Sequence, residues 1–265
     1  RVIFDHIDDL SVFPYNQDQL QENYRYFLEH ANIVVASADR LYEKAKEIRP
    51  DTVLVPNGVD YDHFQSAFER PGEPPKELLP MIAQRKPVIG YYGALAHWFD
   101  YRLIESVARN HPDFHFLLIG PDHDGSILSS GLLEQATQPE RNGGAQGNIF
   151  WLGSRPYSSM PQYLAWFDVA MIPFVVNDIT LATSPIKLFE YLAAGKPVVT
   201  TALPECRKYF GTFVAENREE FDLRLGQALQ CAADPAFRRK AQEEAARHRW
   251  TERAQQIMDM LSKIA

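Results

Sequence analysis

Lys187 and Glu190 are charged residues standing where core packing would not put them. They lie in Asn177-Asp-Ile-Thr-Leu-Ala-Thr-Ser-Pro-Ile-Lys-Leu-Phe-Glu-Tyr-Leu-Ala-Ala-Gly-Lys-Pro-Val-Val-Thr-Thr201, which reads as a polar loop, a short helix and a buried strand. Ser184 is expected to cap the helix, its hydroxyl accepting from an orphan N–H, and Pro185 to fill the first helical position. Ile186, Phe189, Leu192 and Ala193 supply an apolar stripe. Gly195 and Pro197 end the helix, and Pro197–Thr201 reads as a strand. A lysine in the first turn opposes the helix dipole, which favours anions there by about 0.3–1 kcal/mol. Two readings are open. Either Lys187 is a solvated surface cation, or an anion sits at the helix start, held by backbone N–H groups and the ammonium together. Glu190 follows three residues on, on nearly the same face, and when ionised it only accepts hydrogen bonds. A phosphate near Lys187 and a diol near Glu190 together describe a nucleotide sugar.

Such a helix needs a sheet to hold it. Strand and helix patterns alternate along the chain, which predicts an α/β protein with a doubly wound, mostly parallel sheet. Val2–Asp5, Ile33–Ala36 and Thr52–Val55 read as strands, with helices over 17–30 and from a Ser37 cap to about Ile48. The Pro- and Glu-rich stretch Glu69–Glu77 reads as a linker. Strands then fall at Val88–Gly93, Phe114–Gly120, Ile149–Gly153 and Val169–Phe174, with helices at 101–110 and 160–167 and a Gly-rich excursion before Asn148. The tail from Glu219 reads as helical throughout. Gly93, Gly120 and Gly153 each end a strand, where a doubly wound sheet places its ligands. Alternatively they simply make tight turns. Neither G-x-G-x-x-G nor G-x-x-x-x-G-K-[ST] occurs, so the nicotinamide and P-loop signatures are missing.

The 265 residues can bury one large core or two smaller ones. A net charge of −8 and a pI near 5.5 argue against a nucleic-acid groove. Neither a membrane span nor a signal peptide is read from the sequence. Cys206 and Cys231 match no metal or disulfide spacing, which makes a reducing cytoplasm the default compartment. Arg1-Val-Ile-Phe-Asp5 reads as a strand with no lead-in, so roughly 100–150 further residues are expected before it.

Several stretches resemble the retaining, family-4-like glycosyltransferases (glycosyl transferases group 1) of the GT-B fold, nearest to those of bacterial surface-polysaccharide assembly. They are Ile89-Gly-Tyr-Tyr-Gly-Ala-Leu95, Phe116-Leu-Leu-Ile-Gly-Pro121, Ile149–Tyr157, Tyr163–Phe174 and Ser184–Val199, with Val55-Pro-Asn-Gly-Val-Asp60 like the segment before the interdomain crossover. The resemblance implies that residues 1–65 are the rear part of an acceptor-side Rossmann-like domain and 66–86 a linker. Residues 87–248 would form the donor domain, and 249–265 a helix crossing back to the first domain. It implies a hexosyltransferase-type enzyme moving a sugar from a nucleoside-diphosphate donor to a glycan or lipid-linked acceptor. No cofactor or metal is expected, and the missing N-terminal half of the same protein is a partner. The implied location is cytoplasmic, with peripheral association at the inner face of the membrane.

By the same resemblance, Glu190 binds the ribose, while Ser184, Pro185 and Lys187 meet the diphosphate and Gly93 lets the backbone approach. Arg155 and Tyr157 follow the strand that contacts the base, and Asn177 and Thr180 reach toward the transferred sugar. Two departures stand out. The family's E-x₇-E motif expects an acid at Ala182, and the usual Arg and Lys after the first donor-domain strand are replaced by Ala94-Leu-Ala-His-Trp-Phe-Asp100. Phosphate neutralisation then rests on Lys187, assisted by His97.

Asp5, Asp8 and Asp9 crowd the end of the first strand; Asp8 and Asp9 are candidates to bind acceptor hydroxyls or move a proton, with turn and cap roles as the alternative. Asp122 and Asp124 have the spacing of a metal pair, but Asp-rich turns commonly follow strands. Two other functions remain open: a nucleotide-sugar binding module without turnover, and a GT-B sugar-nucleotide epimerase.

Overall fold

The computed structural model describes residues 1–12, 16–69, 72–132 and 147–264. The Gly-rich excursion expected before Asn148 lies largely outside them. Two parallel sheets organise the chain. The smaller has the order β1 (Ile3–His6), β2 (Ile33–Ala36), β3 (Val53–Leu54), with helices α1 (Gln17–His30) and α2 (Asp39–Lys46) between its strands. After α3 (Tyr61–Glu69) and α4 (Leu79–Ile82) the chain enters the larger sheet. Its elements are β4 (Val88–Tyr92), α5 (Tyr101–Asn110), β5 (His115–Ile119), α6 (Ser126–Ser129), β6 (Ile149–Trp151), α7 (Met160–Leu164), β7 (Val169–Ile172), α8 (Asp178–Leu181), α9 (Ile186–Ala193), β8 (Val198–Thr201) and β9 (Thr212–Ala215). Helices α10 (Arg218–Ala232), α11 (Pro235–Ala246) and α12 (Trp250–Ser262) complete the chain.

The larger sheet runs β6-β5-β4-β7-β8-β9, every pair parallel. β4, β5 and β7 are buried along their whole length, as continuous apolar runs in a doubly wound sheet must be. Gly90 sits mid-strand because a Cβ there would lie 2.2 Å from the Phe167 ring. Val59, Tyr61, Phe64 and Ala67 belong to the same large core, so α3 packs on the six-stranded unit, within and just ahead of the stretch read as a linker. Ile257, Met260 and Leu261 of α12 pack against Ile33, Val35 and Val55 of the small sheet.

The units meet along one side. Ala182 is buried with Ala36, Ala38 and Leu41. Arg40 pairs with Asp178 at 2.7 Å, and buried Glu205 accepts from the Asp39 backbone N–H at 2.8 Å and from Lys208.

Three local expectations are corrected. Helix α9 begins at Ile186 with Pro185 as its N-cap, because Pro185 is extended at φ −72° and ψ 111°; the Ser184 hydroxyl caps nothing. Likewise the residue before α2 is Ala38, and the Ser37 hydroxyl instead donates to the Ile7 carbonyl. Ile186 is exposed, while every residue from Leu188 to Ala193 is buried, so α9 is enclosed rather than striped. Strand β9 has a weak sequence signal, since Thr212–Ala215 is short and only half-buried at the sheet edge.

Candidate functional site

Strand order reverses between β4 and β7, and the crevice beyond their carboxyl ends is where such sheets take ligands. Gly93 leaves β4 at φ 134°; a Cβ there would lie 2.9 Å from Lys187 Cε, so the missing side chain makes room for the lysine stem. Gly120 leaves β5 at φ 152°, and its Cβ would fall 1.8 Å from the Gly93 carbonyl oxygen. The Gly120 N–H also donates to the Gly153 carbonyl at 2.9 Å. The three strand exits noted in the sequence therefore form one contiguous glycine junction.

Lys187, in the first turn of α9, carries its ammonium over Tyr91 and Phe174, 5.5 and 5.1 Å from the ring centroids. Burial pulls its pKa down, with the Glu190 charge opposing. No carboxylate among the described residues forms an ion pair with it. Ser184 is buried just before the helix; its carbonyl accepts from Asn57 Nδ2 at 2.7 Å, while its hydroxyl has no partner. Asn57, in the β3 exit of the smaller unit, is a contact the sequence did not single out. Only its place in the Val55–Asp60 segment could have pointed to it.

Glu190 is 4% exposed. Tyr92 donates to its Oε2 and Tyr157 to its Oε1, each at 2.6 Å. Burial raises the Glu190 pKa, against the pull of the two tyrosine hydrogen bonds and of Lys187. Burial beside this carboxylate pushes both phenols well above their ordinary range. Tyr92 was not read as a site residue, since a tyrosine inside a strand reads as core. Tyr157 is half exposed and stacks on His63 of α3, ring centroids 5.5 Å apart.

The other expected site residues have structural partners. Arg155 donates to Glu77 and to the Tyr163 hydroxyl, both at 3.1 Å, and to the Leu152 carbonyl at 2.6 Å, bracing the turn after β6. Asn177 and Thr180 form a reciprocal capping box on α8, and Thr180 also donates to the Val175 carbonyl. His97 is tied to Asp124 through both its N–H and Nδ1, at 2.9 and 3.0 Å. Burial alone would raise the Asp124 carboxyl, but bonds from Ser126 and His97 hold it well below the usual range. Asp9 accepts from Lys44 at 2.8 Å and from Ser11, which outweighs burial and lowers its pKa to about 2. Asp8 is exposed. No hydrogen bond among the described residues joins Asp8 or Asp9 to the Lys187–Glu190 cluster. Nor do three His, Cys, Asp or Glu side chains among those residues converge to hold a metal ion.

The arrangement can therefore take a ligand with an anionic group at the start of α9 and hydroxyls against Glu190. The family model for "Glycosyl transferases group 1" matches residues 86–230. A putative teichuronic acid biosynthesis glycosyltransferase, TuaH of Bacillus subtilis (strain 168), is 29% identical over 197 residues, which cover 72% of this chain and 46% of that protein. The chain thus spans about half the length of this curated relative. Anabaena HepE, solved with UDP-glucose, superposes with a TM-score of 0.72 at 20% identity, covering 98% of this chain and 72% of HepE. The α,α-trehalose 6-phosphate synthase of Burkholderia multivorans superposes at 0.71 and 14% identity, covering 98% of this chain and 66% of that one. At these identities the structures establish the fold, and it is the GT-B type.

Proposed function

The chain belongs to the glycosyl transferases group 1 family, and from that premise we propose that it binds a nucleoside-diphosphate sugar and serves transfer of the sugar with retention of configuration. The acceptor is a hydroxyl of a glycan or lipid-linked carrier. The start of α9, Lys187 and the Ser184 hydroxyl hold the diphosphate, and Glu190 accepts from the ribose hydroxyls. One observation carries the reading. Among the described residues, a buried hydroxyl without a partner and an ammonium in no ion pair adjoin the same helix start, in the crevice where the strand order reverses. Preorganised donors there would stabilise the departing diphosphate, the charge that develops as the glycosidic bond breaks. No metal is required if they suffice. HepE, of the same fold, is described with UDP and with UDP-glucose, which supports a uridine nucleotide as first probe.

Calorimetric titration with UDP tests it. Glu190→Ala is expected to weaken binding more than tenfold, about 1.4 kcal/mol; unchanged affinity would sink the ribose assignment. Lys187→Ala is expected to weaken UDP far more than uridine, and equal losses would count against the phosphate role. The bonding of Asp9 to Lys44 favours a second reading, a donor-binding module without turnover. Donor hydrolysis or transfer by this chain would exclude it.

A further inference from the structure

The end of the large sheet opposite the Lys187 crevice holds a second cavity, of about 610 Å³. It borders Val88 at the amino end of β4, and Asp168 and Lys196 just before β7 and β8. The five residues of β4, about 16 Å of strand, separate it from the exit at Gly93. Arg85, Lys86, Lys196 and Arg238 all line it, in a protein whose net charge is −8. Nine other described arginines and lysines pair with a carboxylate. None of these four does among the described residues.

For Lys196 and Arg238 the surroundings make that arrangement costly, whereas Arg85 is exposed and Lys86 donates to the Pro112 carbonyl at 3.0 Å. Lys196 is buried, with its ammonium donating to the Ala165 and Phe167 carbonyls at 3.0 and 2.7 Å. Desolvation, aided by repulsion from Arg238, brings its pKa down to about 7. Arg238 lies 4.6 Å from the Phe68 ring centroid, and burial lowers its pKa as well. Asp168 is the one acid on the wall; its charge partly offsets that of Lys196, and its Oδ2 also accepts from the Val88 N–H at 2.7 Å. Trp166, also on the wall, has a buried indole N–H without an acceptor. Arg85 is the one non-glycine residue with positive φ (54°) among the described residues, in a turn where glycine would be unstrained. Crowded cations, an unpaired donor and a volume suited to a small molecule share one missing complement, a multiply charged anion.

We propose that this cavity is a second binding site, taking the phosphate or diphosphate group of a soluble phosphorylated small molecule on Arg85, Lys86 and Arg238, apart from the donor crevice. The inference does not rest on the donor reading. The test uses inorganic pyrophosphate as probe, titrated calorimetrically into the Lys187→Ala protein so that the α9 start contributes little. Saturable one-to-one binding is expected, weakened at least tenfold by adding Arg85→Gly and Lys86→Ala, which change an exposed turn and half-buried neighbour, and again by Arg238→Gln. Circular dichroism and the melting temperature of each variant verify folding. The Arg85–Lys86 pair keeps the test decisive should Arg238→Gln unfold. No binding, or binding indifferent to all three substitutions, overturns the proposal. So does flotation with phosphatidylglycerol vesicles, lost in these variants, when pyrophosphate does not bind, because the cavity would then read a lipid surface.

Discussion

At the residue scale, Glu190 has both its oxygens engaged before any ligand arrives. Tyr92 is buried in β4 and fixes Oε2, whereas half-exposed Tyr157 reaches Oε1 from the loop after β6. On the proposed reading, a ribose approaching Glu190 would share or displace the Tyr157 hydroxyl. Hydrogen bonds to charged groups contribute about 1.5–3 kcal/mol, so the competition is measurable. Tyr157→Phe keeps the stacking on His63 and removes the competing donor. It is expected to tighten UDP binding severalfold, up to about tenfold or 1.4 kcal/mol. Unchanged or weaker affinity by calorimetry would show that the hydroxyl assists the ligand or stands clear of it. The Glu190 and Lys187 substitutions act at this same scale and test the proposed ribose and phosphate roles separately.

At the element scale, the site depends on how closely three strand exits pack. A Cβ on Gly120 would overlap the Gly93 carbonyl, and Gly93 in turn sits against the Lys187 stem. Gly120→Ala meets both this overlap and a left-handed φ of 152°, a combination expected to cost at least about 2 kcal/mol. Because relief would push the β4 exit toward Lys187, UDP affinity should fall along with the urea midpoint. A variant that unfolds earlier yet binds UDP normally would disconnect the junction from the site. The capping box of Asn177 and Thr180 illustrates the converse. The family resemblance implies a sugar contact for these two residues, and their hydrogen bonds also close α8.

At the scale of the whole molecule, acid sensitivity is expected from buried histidines. His6 is 2% exposed, and burial, reinforced by Lys44, lowers its pKa from 6.5 to about 4. Between those values the unfolded chain binds the proton and the folded one does not, so stability rises with pH across the window. The contribution is fully present above about pH 6.5 and fades as pH falls toward 4, reaching about 3 kcal/mol in order of magnitude. Urea unfolding at pH 7 and pH 5 should show the loss, and His6→Gln should flatten it. An equal pH slope in the variant would place the sensitivity elsewhere, with His115 and His248, both lowered by burial, the next to examine.

The sequence by itself determined the alternation of apolar strands and helices, the glycines that end them and the isolation of Lys187 and Glu190 in an apolar helix. These are local matters of period, turn chemistry and charge in the wrong place. Only the tertiary structure decided what those residues face. Ser184 lost its expected capping role because the extended Pro185 moved the helix start by one residue, and its hydroxyl was left orphaned. Tyr92, in a strand, and Tyr157, some thirty residues before Glu190, reach that carboxylate only through strand order. Ala182, where the family pattern expects an acid, is buried against Ala36 and Leu41 of the other unit. Such pairings join residues far apart in the chain. Hydrophobic periodicity says which side of an element is buried, but the sheet order selects the partner.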